Sequence, residues 1–451
     1  MRARRVLLSG VAACLVLAAC GDAESDDQAT ETSAEEADDG AETTPEQEAG
    51  EAEPAAVAGA NPEECARLVG VDDETIVVGL MMGLSGPFGA YAEAISDGLM
   101  GYVERINNEG GIDGRQIEMR RVDHEYDQAV ALSHVERLQG DISILVSHGT
   151  APTNAVLPDT LANCIPLLIL GQGGVNALEP HATIYSTPNA YMTLNAMEWA
   201  LNEWGADAPW GIVYQSDVAG EEMRRAAEFG AEFLGIDMPV QESFDLGDGD
   251  FSAQVNALRD ADVETVILAA YPPDCFQIAA QAVAQGLDLN WAGPAVCWGG
   301  EVAFPDEDSR TLVEDIGLVQ ASYTSGWQSS DDPLLAQARE DIAAVSDRAG
   351  QVPLLGYSGG FLLAEILQRA ADSGDLSRGG IINVIPEVGE QDMSDLFCGV
   401  SLGEAGQPSN PSRGSMILRI SSDAEPDGYV LEEGCFVGSA AEEFQLSSLV
   451  D

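Results

Sequence analysis

The feature that most limits the fold is a series of continuous apolar runs of strand length, each followed by a segment with helical spacing. The runs are Thr75–Met82, Ile142–Val146, Ile165–Leu170, Gly211–Tyr214, Thr265–Ala269 and Ile316–Ala321. Strands without polar alternation are buried on both faces, and a buried strand followed by a helix builds a parallel sheet covered on both sides. Between the runs, Ala90–Asn107 places Ile95, Leu99, Tyr102, Val103 and Ile106 at helical spacing. Tyr191–Trp204, Glu221–Leu234, Phe251–Arg259 and Phe276–Gln285 read as helices in the same way. Further helices are expected over Leu354–Ala371 and Ile381–Val388, and one strand, Ser415–Ile420, in a tail from Cys398 to Phe436 rich in Gly, Pro and Ser. The expected fold is α/β, built as two lobes.

At the N-terminus, Arg2, Arg4 and Arg5 precede an apolar run from Val6 to Ala19 that is too short to span a bilayer as a mature helix. The run closes on Leu17-Ala18-Ala19-Cys20-Gly21, which resembles the bacterial lipobox. Residues 1–19 are therefore expected to be a signal peptide and Cys20 the lipidated residue, with an ordinary secretory peptide cut near Ala19 as the alternative. Residues 20–61 consist mainly of Glu, Asp, Ala, Thr, Gln and Gly and contain no aromatic residue. Such a segment buries too little apolar surface to offset its chain entropy, so an acidic disordered tether is expected. About 390 residues follow, ample for two domains with their own cores.

Charge narrows the partners. The chain carries 77 acidic residues against 19 basic ones, all arginine. A surface of that sign repels phosphate backbones, which excludes nucleic acid, and the excess suggests a surface kept hydrated in high salt. Asp245, Asp248 and Asp250 come closest to a cation loop, but the downstream glutamate of a calcium loop is missing and no metal is expected.

Apart from Cys14 and Cys20, six cysteines remain: Cys65, Cys164, Cys275, Cys297, Cys398 and Cys435. An even number in an exported chain implies disulfides. The sequence does not choose the pairing. Joining neighbours would link Cys275 with Cys297 and Cys398 with Cys435, leaving Cys65 with Cys164. Gly83, Gly86 and Gly89 depart from dinucleotide-fingerprint spacing, and neither an HExxH pair nor a Gly-x-Ser-x-Gly elbow occurs. No cofactor and no catalytic residue are expected, and the chain reads as a non-enzyme.

The blocks Gly83-Leu84-Ser85-Gly86-Pro87-Phe88-Gly89-Ala90-Tyr91, Asp97-Gly98 and Ile106-Asn107-Asn108-Glu109-Gly110-Gly111-Ile112-Asp113-Gly114-Arg115 resemble the opening of branched-chain amino-acid-type periplasmic solute-binding proteins. The likeness continues in order through Val122-Asp123, Asp127, Ser147–Thr153, Ile165-Pro166, Gly171 and Gly356-Tyr357-Ser358-Gly359. It implies a type I periplasmic-binding fold: two Rossmann-like lobes, hinge-linked by three crossovers, with a ligand cleft between them. Lobe 1 is expected at 62–188 and 322–395, and lobe 2 at 189–321 and 396–451.

In open parallel sheets, ligands sit beyond the carboxyl ends of strands, where loops and helix N-termini present N–H groups. Two loops suit a ligand carboxylate, Gly149–Thr153 and Gly171–Gly174. They give Thr150, Ala151, Thr153, Gly171, Gln172 and Gly173 as ligand contacts, helix caps and a plain turn being the alternative. Tyr91 and Tyr271 match aromatic positions that line the family's cleft, and Trp298 is expected in its wall. His148, beside the site, is expected to hydrogen-bond backbone. One departure stands out. Where the family's amino-acid binders carry an acid after a Gly-Pro pair to hold the ammonium, Gly293-Pro294 leads here to Ala295, with Asp274 or Glu301 as candidate replacements. Ala219-Gly220 likewise stands in place of the Tyr-Gly often found there. A small polar solute is expected, an amino acid, amide or related carboxylate; the missing acid argues against leucine, isoleucine and valine and leaves open an amide, a carboxylate without an amine, or an aromatic compound.

The resemblance implies an extracytoplasmic, membrane-anchored solute-binding lipoprotein of an ABC-type importer, monomeric, with permease subunits as partners. A ligand-sensing lipoprotein that signals through a membrane partner is the alternative.

Overall fold

The computed structural model describes residues 57–271, 274–295, 311–312, 316–327, 332–388, 398, 409–421 and 428–450. These belong to one compact unit, Glu53–Asp451. Cys20, the tether up to residue 56, Cys297, Trp298 and Glu301 lie outside the described residues.

The first sheet contains β1 (Thr75–Met82), β2 (Gln116–Asp123), β3 (Ile144–Ser147), β4 (Leu167–Ile169) and β5 (Ala182–Ile184), in the order β2-β1-β3-β4-β5. Every pairing is parallel. The continuous apolar character of β1 serves both faces. Ile76, Val78, Leu80 and Met82 join one core, which includes Leu99 and Leu363, while Val77 and Met81 join a second with Ala131, Val135, Val156 and Leu157. The helices supplying those partners are α2 (Gly89–Asn108), α3 (Gln128–Leu138), α4 (Thr150–Ala162) and, from late in the chain, α10 (Gln351–Ser373). At Gly98 and Gly356 the backbones of α2 and α10 approach directly: a Cβ on Gly98 would stand 1.8 Å from the Pro353 carbonyl, and one on Gly356 1.8 Å from that of Ile95.

The second sheet contains β6 (Trp210–Gln215), β7 (Val240–Phe244), β8 (Thr265–Ala269), β9 (Asn290–Pro294), β10 (Val319–Ser322), β11 (Ser415–Ile420) and β12 (Tyr429–Phe436), in the order β12-β11-β10-β9-β8-β6-β7. β11 and β12 run antiparallel at one edge. Its helices include α5 (Asn189–Trp204), α6 (Val218–Leu234), α7 (Ser252–Asp260) and α8 (Asp274–Ala284).

The chain crosses between the sheets after β5, again after β10 to reach α9 (Pro333–Val345) and α10, and once more before β11. These are the three crossovers of a two-lobe type I fold. Among the described residues, no helix is long and apolar enough to cross a membrane.

Cys65 and Cys164 are bonded, and Cys275 is also in a disulfide. Cys398 and Cys435 depart from the expected bond: both are thiols here, standing side by side in hydrogen-bond contact, which together with burial pushes the Cys398 thiol up.

Candidate functional site

Each sheet has a point where successive strands leave in opposite directions, at β1 between β2 and β3 and at β6 between β7 and β8. A crevice opens beyond the strand ends at such a point. The segments after β1, β2 and β3 carry Phe88, Tyr126 and His148; those after β6 and β8 carry Asp217 and Tyr271. The two sets meet. The Phe88 ring lies 4.4 Å from that of Tyr126 and 5.0 Å from that of Tyr271, and the Tyr126 hydroxyl donates to Asp217 Oδ2 at 3.3 Å.

Tyr91 is buried near the start of α2, its hydroxyl 3.0 Å from that of Tyr323, which follows β10. Burial pushes the Tyr91 phenol up to about 12 and the Tyr271 phenol further still, so both are neutral donors. Tyr271 faces the Asn189 amide. His148 is pushed down to about 3, by burial and then by neighbouring His124, and stays neutral. Its ring packs 5.8 Å from that of Tyr91, while its carbonyl takes the His124 Nε2 contact at 2.9 Å. The backbone contact expected of its imidazole thus belongs to His124.

The expected loop Gly149–Thr153 is the opening of α4, with Gly149 as N-cap and Thr150 in its first turn. Thr153 turns inward, its hydroxyl 2.7 Å from that of Ser147. The Ala151 N–H faces the Tyr126 hydroxyl. Gly171 and Gln172 use their carbonyls to accept from Ser186 Oγ at 3.0 Å and Asn189 N at 2.7 Å. Gly173 is glycine for packing, since a Cβ there would stand 2.5 Å from both Asn176 Oδ1 and Thr150 Cγ2.

What remains unpaired around this turn is telling. Thr150 Oγ1, Gln172 Nε2 and both amide atoms of Asn176 are buried without a hydrogen-bond partner. Each such group costs about 1–3 kcal/mol unless a ligand or an ordered water completes its bonding.

Sequence reasoning missed Tyr126, Asp217, Tyr323 and Glu222. Glu222, 2% exposed on α6, accepts from the Gly174 N–H at 3.0 Å and the Ala190 N–H at 3.1 Å. Burial, outweighing those hydrogen bonds, pushes its carboxyl up to about 7. A pocket of about 650 Å³ between Gln128, Ala151 and Val175 on one side and Ser216, Asp217, Glu221, Glu222 and Arg225 on the other adjoins the unpaired cluster. Of the expected ligand contacts among the described residues, only Ala151 lines it. The candidate replacement Asp274 instead accepts from the Gly247 N–H at 2.9 Å. Among the described residues, no group of His, Cys, Asp or Glu is arranged to hold a metal.

Known proteins give this geometry a setting. The chain is 25% identical over 313 residues to the leucine-, isoleucine-, valine-, threonine- and alanine-binding protein of Pseudomonas aeruginosa, covering 66% of this chain and 80% of that one. The fold matches a fatty acid ABC transporter substrate-binding protein from Thermomonospora curvata at a TM-score of 0.76, with 22% identity over 84% of this chain and 96% of that one. It also matches an ABC transporter solute-binding protein of R. palustris in complex with benzoate, at a TM-score of 0.67 with 16% identity, covering 81% of this chain and 98% of that one. These relatives are transport binding proteins, not enzymes. Residues 75–423 match the family model described as periplasmic binding protein, and the chain belongs to that family of extracytoplasmic solute-binding proteins.

Proposed function

We propose that the protein is the solute receptor of an ABC-type importer, a lipoprotein held at the membrane through Cys20, that captures a small polar solute between lobe 1 (62–188 and 322–395) and lobe 2 (189–321 and 396–451). The observation that carries this reading is the buried, unpaired set Thr150 Oγ1, Gln172 Nε2 and Asn176 beside the aromatic contact of Phe88, Tyr126 and Tyr271. Such a site supplies directional donors and acceptors on one wall and flat apolar area on the other, the usual make-up of a small-molecule pocket. Tyr91 and Tyr271 enclose the solute, and opening at the three crossovers admits it. The relatives bind ligands as different as branched-chain amino acids, a fatty acid and benzoate, which supports a carboxylate-bearing solute without choosing among them. A thermal-shift screen of the full chain against amino acids, amides, short carboxylates and aromatic acids, at high and low salt, tests the proposal. A true ligand at a hundred times its Kd adds roughly 2.7 kcal/mol. No stabilisation by any class would overturn the reading.

A further inference from the structure

Glu222 is out of place as a merely structural residue. Its Oε1 takes two backbone N–H groups, from Gly174 and Ala190, and the Val175 N–H also faces the carboxylate, while Oε2 is buried without a geometric hydrogen bond of its own. Removing a carboxylate from water is costly unless a cation or further donors compensate it. Among the described residues, no cation is bonded to Oε2. Among the described residues lining the adjoining pocket, Arg225 is the only cation, and it is held by Glu221 at 3.2 Å and by the Leu449 carbonyl at 3.0 Å. Asp217, Glu221 and Glu222 leave that pocket negative.

Position adds a second constraint. Gly173 and Gly174 stand against Thr150 and Glu222 in turn: a Cβ on Gly173 would lie 2.8 Å from Thr150 Oγ1, and one on Gly174 2.9 Å from Glu222 Oε1. The Cα atoms of the two glycines are about 3.8 Å apart. A compact solute therefore reaches both groups at once. The segment after β9 offers no alternative charge at its described end, where Ala295 is buried and apolar.

We propose that Glu222 is the counter-ion for a protonated amine on the solute, which enters through the pocket between Ala151 and α6 while the solute's polar end bonds to Thr150 and Gln172. This inference rests on the solute-binding reading and names the class of solute: one that carries a primary amine. Glu222 is then the residue that sets specificity for it.

The test is isothermal titration calorimetry on the full chain with matched sets: leucine, 4-methylpentanoate and 3-methylbutylamine; phenylalanine, 3-phenylpropanoate and 2-phenylethylamine; 4-aminobutanoate, butanoate and propylamine. In at least one set the amine-bearing members bind about tenfold or more tighter than the amine-free acid, as a charge-assisted hydrogen bond requires. Glu222→Gln, which keeps an acceptor for Gly174 and Ala190, removes that advantage. Amine-free acids binding wild-type as tightly as their amine-bearing partners, or Glu222→Gln retaining the advantage, overturns the amine assignment and leaves solute capture standing. Failure of every member to bind wild-type counts against both.

Discussion

Replacing Glu222 with glutamine should change how stability depends on pH. In the folded chain the carboxyl is pushed up to about 7 by burial, against an ordinary value of 4.5. Between those values the folded state holds a proton that the unfolded chain has released, so stability falls as pH rises through that window. Below pH 4.5 the group costs nothing; above pH 7 the cost is complete. At about 1.4 kcal/mol per pH unit it reaches about 3 kcal/mol, of which less than about 1 kcal/mol has developed at pH 5. Glutamine keeps a carbonyl oxygen for the Gly174 and Ala190 N–H groups and carries no charge. Its stability relative to wild-type should therefore gain about 2–3 kcal/mol between pH 5 and pH 8, roughly 3 °C in Tm for a chain of this size. The histidines that burial keeps neutral, His148 and His181, are common to both proteins and cancel in the comparison. Scanning calorimetry of both full chains at the two pH values measures it. A variant no more stable than wild-type at pH 8, or an offset equal at both pH values, would refute the claim that a buried charge is being carried there.

Thr150 and Thr153 should separate binding from stability. Thr150→Ala removes a hydroxyl with no internal partner and should weaken solute affinity about five- to tenfold, whereas Thr153→Ala strands the Ser147 hydroxyl and should cost about 1–3 kcal/mol of stability with affinity kept; titration calorimetry and thermal melts on the same samples distinguish the two. Cys398 and Cys435 are close enough to oxidise, so alkylation followed by mass spectrometry should find both thiols only after reduction, and labelling of the protein as exported would contradict this. Gly98→Ala drives a methyl group onto the Pro353 carbonyl and forces α2 from α10. A loss of about 3 kcal/mol or more in denaturant unfolding is expected, and an unchanged midpoint would mean that the helices slide freely.

Much of the scaffold is legible in the chain because interior parallel strands are apolar throughout. Thr75–Met82, Thr265–Ala269 and Ser415–Ile420 form strands with the bounds their composition suggests. The strands that composition hides are chiefly those at sheet edges, β2, β5, β7 and β12. β2 and β12 meet solvent along much of their length and carry charged residues such as Arg120, Arg121 and Glu432. β9 is interior, but its Gly293-Pro294 reads as a turn. The start of α4 is hidden for a related reason, since Thr150, Pro152 and Thr153 read as loop residues until Gly149 is seen to cap a helix.

The sequence by itself determined that the chain builds parallel α/β lobes, and its motif blocks determined the family, because burial on two faces and glycine-bounded turns leave a linear record. It also marked the turn Gly171–Gly173 and the two tyrosines. Only the tertiary structure decided which of those groups have hydrogen bonds to spare. Thr153 is spent on Ser147 and Thr150 is not, a difference of side-chain direction within one helical turn. The approach of Glu222 to Gly174 spans 48 residues, and the desolvation that perturbs its carboxyl arises only when the chain folds around it. No local pattern encodes that enclosure.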